Sequence, residues 1–189
     1  MSDDAQKGNL RETLRSCLRG ISPVDVPILK PAGMATIAIA QPHQFPCMHE
    51  ITRCAFAEYD GKLNPPSAAV TITLDELTEQ MAEGGGVLAY VDGIPVGSAL
   101  FRLRPDHLYI GRLSVLPAMR GRGIASAILD YMEIIAAAAG LSEMRLGTRV
   151  SMERNIALYE RHGYLITSEQ PHPVTAGPDK VVWMTRRLN

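Results

Sequence analysis

The spacing of apolar positions switches between a period of two and a period near 3.6 along this chain, and each switch marks an element. Residues 36–40 read as a first strand. Residues 46–59 follow as a helix with Cys47, Ile51, Cys54 and Ala55 on its inner side. Thr73-Leu74-Asp75-Glu76 has the Thr-x-x-Glu form of a capping box and opens a second helix whose apolar side is Leu74, Leu77 and Met81, with Gly84-Gly85-Gly86 expected to stop it. Residues 87–91 and 95–104 form two strands joined at Asp92-Gly93, a strong hairpin signal. Residues 108–115 are a further apolar strand. From Ile124, apolar residues recur at Ala127, Ile128, Tyr131, Met132 and Ile135, the stripe of a helix packed on a sheet, and Gly140 stands where a left-handed cap would end it. Residues 144–148 read as a strand, 152–162 as the last helix, and 164–167 and 181–185 as closing strands. Strands that come first in hairpins and then alternate with helices predict a mixed α/β sheet with helices on its faces.

The stretch from 108 to 129 is the one most suggestive of chemistry. A strand runs into a turn opened by Pro117, and Arg120-Gly121-Arg122-Gly123 then leads directly into the helix. Glycines let a ligand approach the backbone closely. The first amides of a helix have no internal partner, so the turn is an anion site favoured further by the helix dipole. Between Gly111 and Leu129 lie Arg112, Arg120 and Arg122 and no acid, so a pyrophosphate would meet little repulsion. A tight strand-to-helix turn with no ligand is the plain alternative. Two other glycine loops fit poorly. A phosphate-binding loop of the Gly-Lys-Ser/Thr kind needs a lysine, and none occurs between Lys62 and Lys180. A dinucleotide fingerprint needs a third glycine where Ser126 stands and an acid at the end of the next strand, which instead ends Gly147-Thr148-Arg149.

The same stretch resembles the acyl-CoA-binding motif of the GNAT superfamily of N-acyltransferases, which reads Arg or Gln, two residues, Gly, one residue, Gly or Ala. Arg120, Gly123 and Ala125 fill it, and Leu113-Ser114-Val115-Leu116-Pro117 is similar to the family's lead-in. The resemblance runs from about Thr36 to the C-terminus. It implies a GNAT-type α/β fold: a mixed, mostly antiparallel sheet with splayed central strands and helices on both faces. The cleft for the pantetheine arm would lie between strands 108–115 and 144–148. It implies acetyl-CoA as acyl donor, with Arg120, Gly121, Arg122, Gly123, Ile124, Ala125 and Ser126 on the pyrophosphate and a main-chain amide near Leu113 or Val115 as oxyanion donor. No metal is implied.

A second motif, Asn155-Ile156-Ala157-Leu158-Tyr159-Glu160-Arg161-His162-Gly163-Tyr164, resembles the family's last helix, whose tyrosine protonates the departing thiolate. Tyr159 holds that position, and a core tyrosine with a satisfied hydroxyl is the competing reading. The chain departs from the family in two places. Tyr109 stands where some members carry a carboxylate base, six residues before Val115, which leaves Glu58 as the first candidate base and His107 and Tyr109 behind it. Met152 stands where many members have asparagine, so Asn155 is the candidate substitute contact to the pantetheine. The resulting expectation is an N-acetyltransferase acting on a primary amine by direct attack. The alternative is a non-catalytic acyl-CoA-binding regulatory module of the same fold.

Composition narrows this further. The chain has 189 residues and a net charge of −1, which leaves no footprint for nucleic acid or an anionic membrane and restricts any basic site to a local one. Cys17, Cys47 and Cys54 are scattered and read as reduced thiols, and with His49 they match no zinc spacing. With no apolar run long enough to span a bilayer and no signal-peptide layout, the expected location is the cytoplasm. Residues 1–33 read as an extension, helical around Leu10, Leu14, Cys17, Leu18 and Ile21 and then broken by Pro23, Pro27 and Pro31. Residues 34–189 read as the N-acetyltransferase domain, with Met34 a plausible start. A homodimer is open from the resemblance, and the acceptor amine is not readable.

Overall fold

The computed structural model describes residues 35–171 and 178–188. The expected extension at 1–33, with its helix and Cys17, lies outside the described residues. The first half of the chain builds an antiparallel meander. β1 (Thr36–Ile39) leads through a 3-10 turn into α1 (Phe45–Phe56), then α2 (Ala68–Thr71) and α3 (Leu74–Met81) precede β2 (Gly84–Val91) and β3 (Ile94–Leu103). The second half alternates: β4 (Leu108–Val115), α4 (Ile124–Ala138), β5 (Glu143–Arg149), α5 (Glu153–Arg161), β6 (Leu165–Gln170) and β7 (Val181–Arg187). Among the described residues the sheet has seven strands in the order β1-β2-β3-β4-β5-β7-β6. Every neighbouring pair is antiparallel except β4 and β5. The mixed, mostly antiparallel α/β sheet expected from the sequence is therefore the observed one.

Helices cover both faces. On one, Ile124, Ile128, Tyr131, Met132 and Ile135 of α4 pack against Ala99, Phe101, Ile110 and Met144. On the other, Met48 and Ile51 of α1 and Leu77 and Met81 of α3 close over Leu88 and Leu100. The capping box at Thr73 forms as expected, with Glu76 N donating to Thr73 Oγ1 at 3.2 Å and Thr73 N donating to Glu76 Oε2 at 2.8 Å. Asp92 and Gly93 both take the positive φ of a type I′ hairpin turn. Among the described residues no helix is long and apolar enough to cross a membrane, and no group of three metal-ligating side chains occurs.

Two local expectations change. The inward row of α1 is Met48, Ile51, Thr52 and Ala55; Cys47 is half-buried and Cys54 exposed. Both rows satisfy helical spacing, and packing chooses between them. The Met48 thioether fills the space beside Gly86, where any Cβ would collide with it. The triple glycine is likewise not a helix stop. α3 ends at Met81 and β2 begins at Gly84, whose Cα lies so close to the Phe101 carbonyl that no side chain fits.

Candidate active site

The site begins where β4 and β5 part. Their parallel pairing runs only from Leu108↔Met144 to Ile110↔Leu146. Just beyond, β4 carries a bulge: Ser98 pairs with Ser114 and Leu100 with Gly111, so Ala99 faces both Arg112 and Leu113. Arg112 takes φ 52°, an uncommon conformation for a residue with a side chain. A bulge adds twist and re-aims the side chains around it, and here it lies where the strands open into a cleft.

The glycine turn closes the open end of β4. Gly121 and Gly123 have φ 73° and 75°, and a Cβ at either would meet nothing within 4 Å, so the turn presents bare backbone to open space. Gly123 is the N-cap of α4, which has neither a side-chain cap nor an acid in its first turn. The first bond back into the turn is Ala127 N to Gly123 O at 2.9 Å, so the amides of Ile124, Ala125 and Ser126 precede the helical ladder. A cleft of about 470 Å³ lies against them, bordered by Leu113, Val115, Arg120, Gly121, Gly123, Ile124, Ala125, Ser126, Asn155, Tyr159 and Glu58. These are the sequence-predicted site residues save one, since Arg122 is exposed and outside this lining.

The arginines divide the work differently from the sequence reading. Arg120 is a brace: Nη1 ion-pairs with Glu58, Nη2 donates to the Ala55 carbonyl at 2.8 Å and Nε to the Val115 carbonyl at 3.3 Å. It ties the end of α1 to the end of β4 and holds the cleft mouth. Arg112 does not border this cleft and lines a second cavity instead. The positive side chains on the cleft that sequence reading missed are Arg154 and Arg161 of α5. Their seven-residue spacing with Leu158 between them is a helical face, and extending the face around Tyr159 by one position would have found them.

Tyr159 is 7% exposed, borders both cavities, and packs edge-on against Tyr164 with ring centroids 5.9 Å apart. Burial pushes its hydroxyl well above the usual phenol range, with the neighbouring Tyr109 and Tyr59 adding to the shift. Its neutral, proton-bearing form therefore persists at any physiological pH. Asn155 lies one helical turn before it, Nδ2 directed at the Met152 sulfur at 3.7 Å. Met152 is buried and also accepts from Thr148 Oγ1 at 3.7 Å, so it packs α5 onto β5. Ser126 Oγ and His162 Nε2 are hydrogen-bonded at 2.9 Å, linking the first turn of α4 to the end of α5. Of the weaker base candidates, His107 pairs with Asp106 at 2.7 Å and borders a different surface of the sheet, while Tyr109 lines the second cavity.

That second cavity, of about 500 Å³, shares Phe56, Leu113, Asn155 and Tyr159 with the first and continues between α1, α2 and the strands β3, β4 and β5. The two spaces thus meet at the tyrosine. The first offers main-chain donors with Arg154 and Arg161 beside them, the second Arg102, Arg112 and Arg149.

The sequence pattern of the Acetyltransferase (GNAT) family matches residues 44–164, the span from the start of α1 through the last helix. The chain belongs to this family. It is an N-acetyltransferase that takes acetyl-CoA as acyl donor. A protein of Bacillus subtilis (strain 168), named as a candidate acetyltransferase, is 26% identical over 121 residues, which is 64% of this chain and 76% of that protein. In fold, the chain is similar to the ribosomal-protein-S18-alanine N-acetyltransferase from Escherichia coli at 20% identity and TM-score 0.66, covering 82% of this chain and 95% of that one. It is similar also to yncA from Salmonella typhimurium, solved with its cofactor acetyl-CoA, at 19% identity and TM-score 0.62, covering 82% of this chain and 94% of that one. The open end of the GNAT sheet in this chain is the β4–β5 gap just described, and the bare amides ahead of α4 suit a pyrophosphate.

Proposed function

We propose that the enzyme acetylates a primary amine by direct attack on the thioester, with the donor in the glycine-turn cleft and the acceptor entering from the second cavity. The observation that carries this reading is that Tyr159 borders both spaces at their junction. The amides from Gly121 to Ser126 hold the pyrophosphate, Arg154 and Arg161 add positive charge, and Asn155 faces the pantetheine arm.

The amine nitrogen forms a bond to the carbonyl carbon, and a main-chain amide near Leu113 or Val115 receives the oxyanion. The carbon–sulfur bond then breaks, its electron pair goes to sulfur, and the nitrogen gives up a proton. A lysine-type amine has a pKa of about 10.4, so a base must take that proton at neutral pH. Glu58 borders the donor cleft and is the residue assigned here. Tyr159 serves the sulfur. A thiol near 8.5 and an ordinary phenol near 10 differ by about 2 kcal/mol, and burial of Tyr159 widens the gap. Its main contribution is then a hydrogen bond donated to the departing thiolate, and completion of the proton transfer follows as the product leaves. Residues 34–189 constitute the catalytic domain in this reading.

The test is CoA release from acetyl-CoA across a panel of amines, with wild type and Tyr159→Phe side by side. Turnover should fall about 100- to 1,000-fold in the variant, while the acetyl-CoA dissociation constant stays within about twofold. Undiminished turnover in Tyr159→Phe would remove the tyrosine from the mechanism.

A further inference from the structure

The second cavity is lined by three arginines from three strands: Arg102 on β3, Arg112 in the β4 bulge and Arg149 at the end of β5. Among the described residues no aspartate or glutamate lines it. Arg149, 8% exposed, is largely spoken for. Its Nη2 donates to the Pro65 carbonyl at 3.0 Å, its Nη1 lies 3.7 Å from Asp179, and it pins the loop before α2. Among the described residues the other two have no such partner. The Arg102 guanidinium lies over the Tyr109 ring, 4.8 Å from its centroid, and makes no ion pair among the described residues. The Nε atoms of Arg102 and Arg112 are both buried and without a hydrogen-bond acceptor among the described residues.

Tyr109, which lines the same cavity, acts on Arg112 more strongly than the carboxylate Glu76, and Glu76 is not among the lining residues; its Oε2 accepts from the Thr73 amide at 2.8 Å in the capping box of α3. Arg102 and Arg112 also repel one another, and burial works against the charge on Arg112. A buried charged donor without an acceptor costs more than a neutral one, and two neighbouring like charges add to the cost. An anion entering the cavity would offset this charge. The planar fork of arginine suits a carboxylate or a tetrahedral oxyanion.

We infer that the acceptor is a small amine that itself carries a carboxylate, phosphonate or phosphate group, and that Arg102 and Arg112 bind this anion while the amine lies toward Tyr159. The inference rests on the acetyl-transfer reading above and assigns its substrate class. Arg112 directly precedes Leu113 of the wall shared by the two cavities, so anion and amine sit at adjoining places, as in an amino acid. The cavity, at about 500 Å³, falls in the range of small-molecule sites.

The test uses the full chain and matched acceptors: α-amino acids, the corresponding amides, the decarboxylated amines, and aminoalkylphosphonates. CoA release is followed, and melting shifts are measured with acetyl-CoA alone and with CoA plus N-acetylated products. The acids or phosphonates should exceed their neutral counterparts in kcat/KM by about tenfold to a hundredfold. Arg112→Met and Arg102→Met should bring each pair near parity while the acetyl-CoA melting shift is kept, and Arg112→Lys should restore part of the preference. Neutral amines used as well as acids, with acetyl-CoA still bound, would overturn the anion assignment alone. No acetyl-CoA melting shift and no CoA release with any acceptor would overturn the acetyl-transfer reading and this inference together. The wild-type comparison of acid with amide stands even if an arginine variant fails to fold.

Discussion

The two cavities that meet at Tyr159 are built on opposite plans. The donor cleft is built mainly on main chain: the amides ahead of α4 and two glycines with positive φ, with Arg120 turned back to brace the wall and Arg154 and Arg161 on the α5 side. The second cavity presents side chains, three arginines delivered by three different strands. A backbone site can recognise any pyrophosphate yet tolerates almost no change in local conformation. A side-chain site can be retuned residue by residue without disturbing the turn.

The comparison is broken most severely at the glycine turn. Gly123→Glu places a side chain at φ 75° and a negative charge where the pyrophosphate would lie. The strain alone is about 1–2 kcal/mol, and with the charge the expected loss of acetyl-CoA affinity is about a thousandfold. Isothermal titration reads this directly, and the melting temperature without ligand should fall only slightly. Retained affinity would mean that the donor lies elsewhere.

A smaller effect separates two roles for Glu58, which is both ion-paired with Arg120 and on the donor cleft. If its carboxylate accepts the amine proton, Glu58→Gln should lower kcat about a hundredfold. Arg120→Gln releases the Ala55 and Val115 carbonyls as well as Glu58, and should instead raise the acetyl-CoA KM about fivefold with kcat little changed. Equal losses in the two variants would make Glu58 an anchor of the clamp and leave the base to another residue.

The same contrast decides what the sequence could disclose. The donor cleft was legible because β4, the turn and α4 are contiguous, so Arg120, Gly123 and Ala125 could be read as one motif, with Tyr159 in a second. The sheet was legible for similar reasons: Asp92-Gly93, the Thr73 cap and the α4 stripe are local signals. The second cavity was not. Arg102, Arg112 and Arg149 are brought together by strand register and by a bulge, and nothing local marks Arg112 as bulged. Its proximity in sequence to Arg120 and Arg122 suggested pyrophosphate binding, whereas the fold assigns it to the other cavity. The phase of α1 was hidden too, because the space that selects Met48 is created by Gly86, on a different element.

The smallest expected effect concerns the tyrosine at the junction, and it appears only at high pH. Burial raises Tyr159 above the ordinary phenol value of about 10, and Tyr164, fully enclosed beside it, is raised by burial as well. Below that ordinary value both groups are neutral in the folded and unfolded chain alike, and their contribution to stability is fully present. As pH climbs past it, the unfolded chain releases these protons first, so stability falls with rising pH until the folded groups titrate in turn. Each such group adds a slope of up to about 1.4 kcal/mol per pH unit. Urea unfolding at pH 9, 10 and 11 should therefore show a shallower alkaline decline for Tyr159→Phe than for wild type, with Tyr164 and Tyr131 still titrating in both. A catalytic consequence goes with it: the rate should not turn down on the alkaline side through loss of the Tyr159 proton anywhere below pH 10. Parallel declines in the two proteins would mean that Tyr159 ionises like a solvated phenol, which would be a poor fit to its buried position between the two cavities.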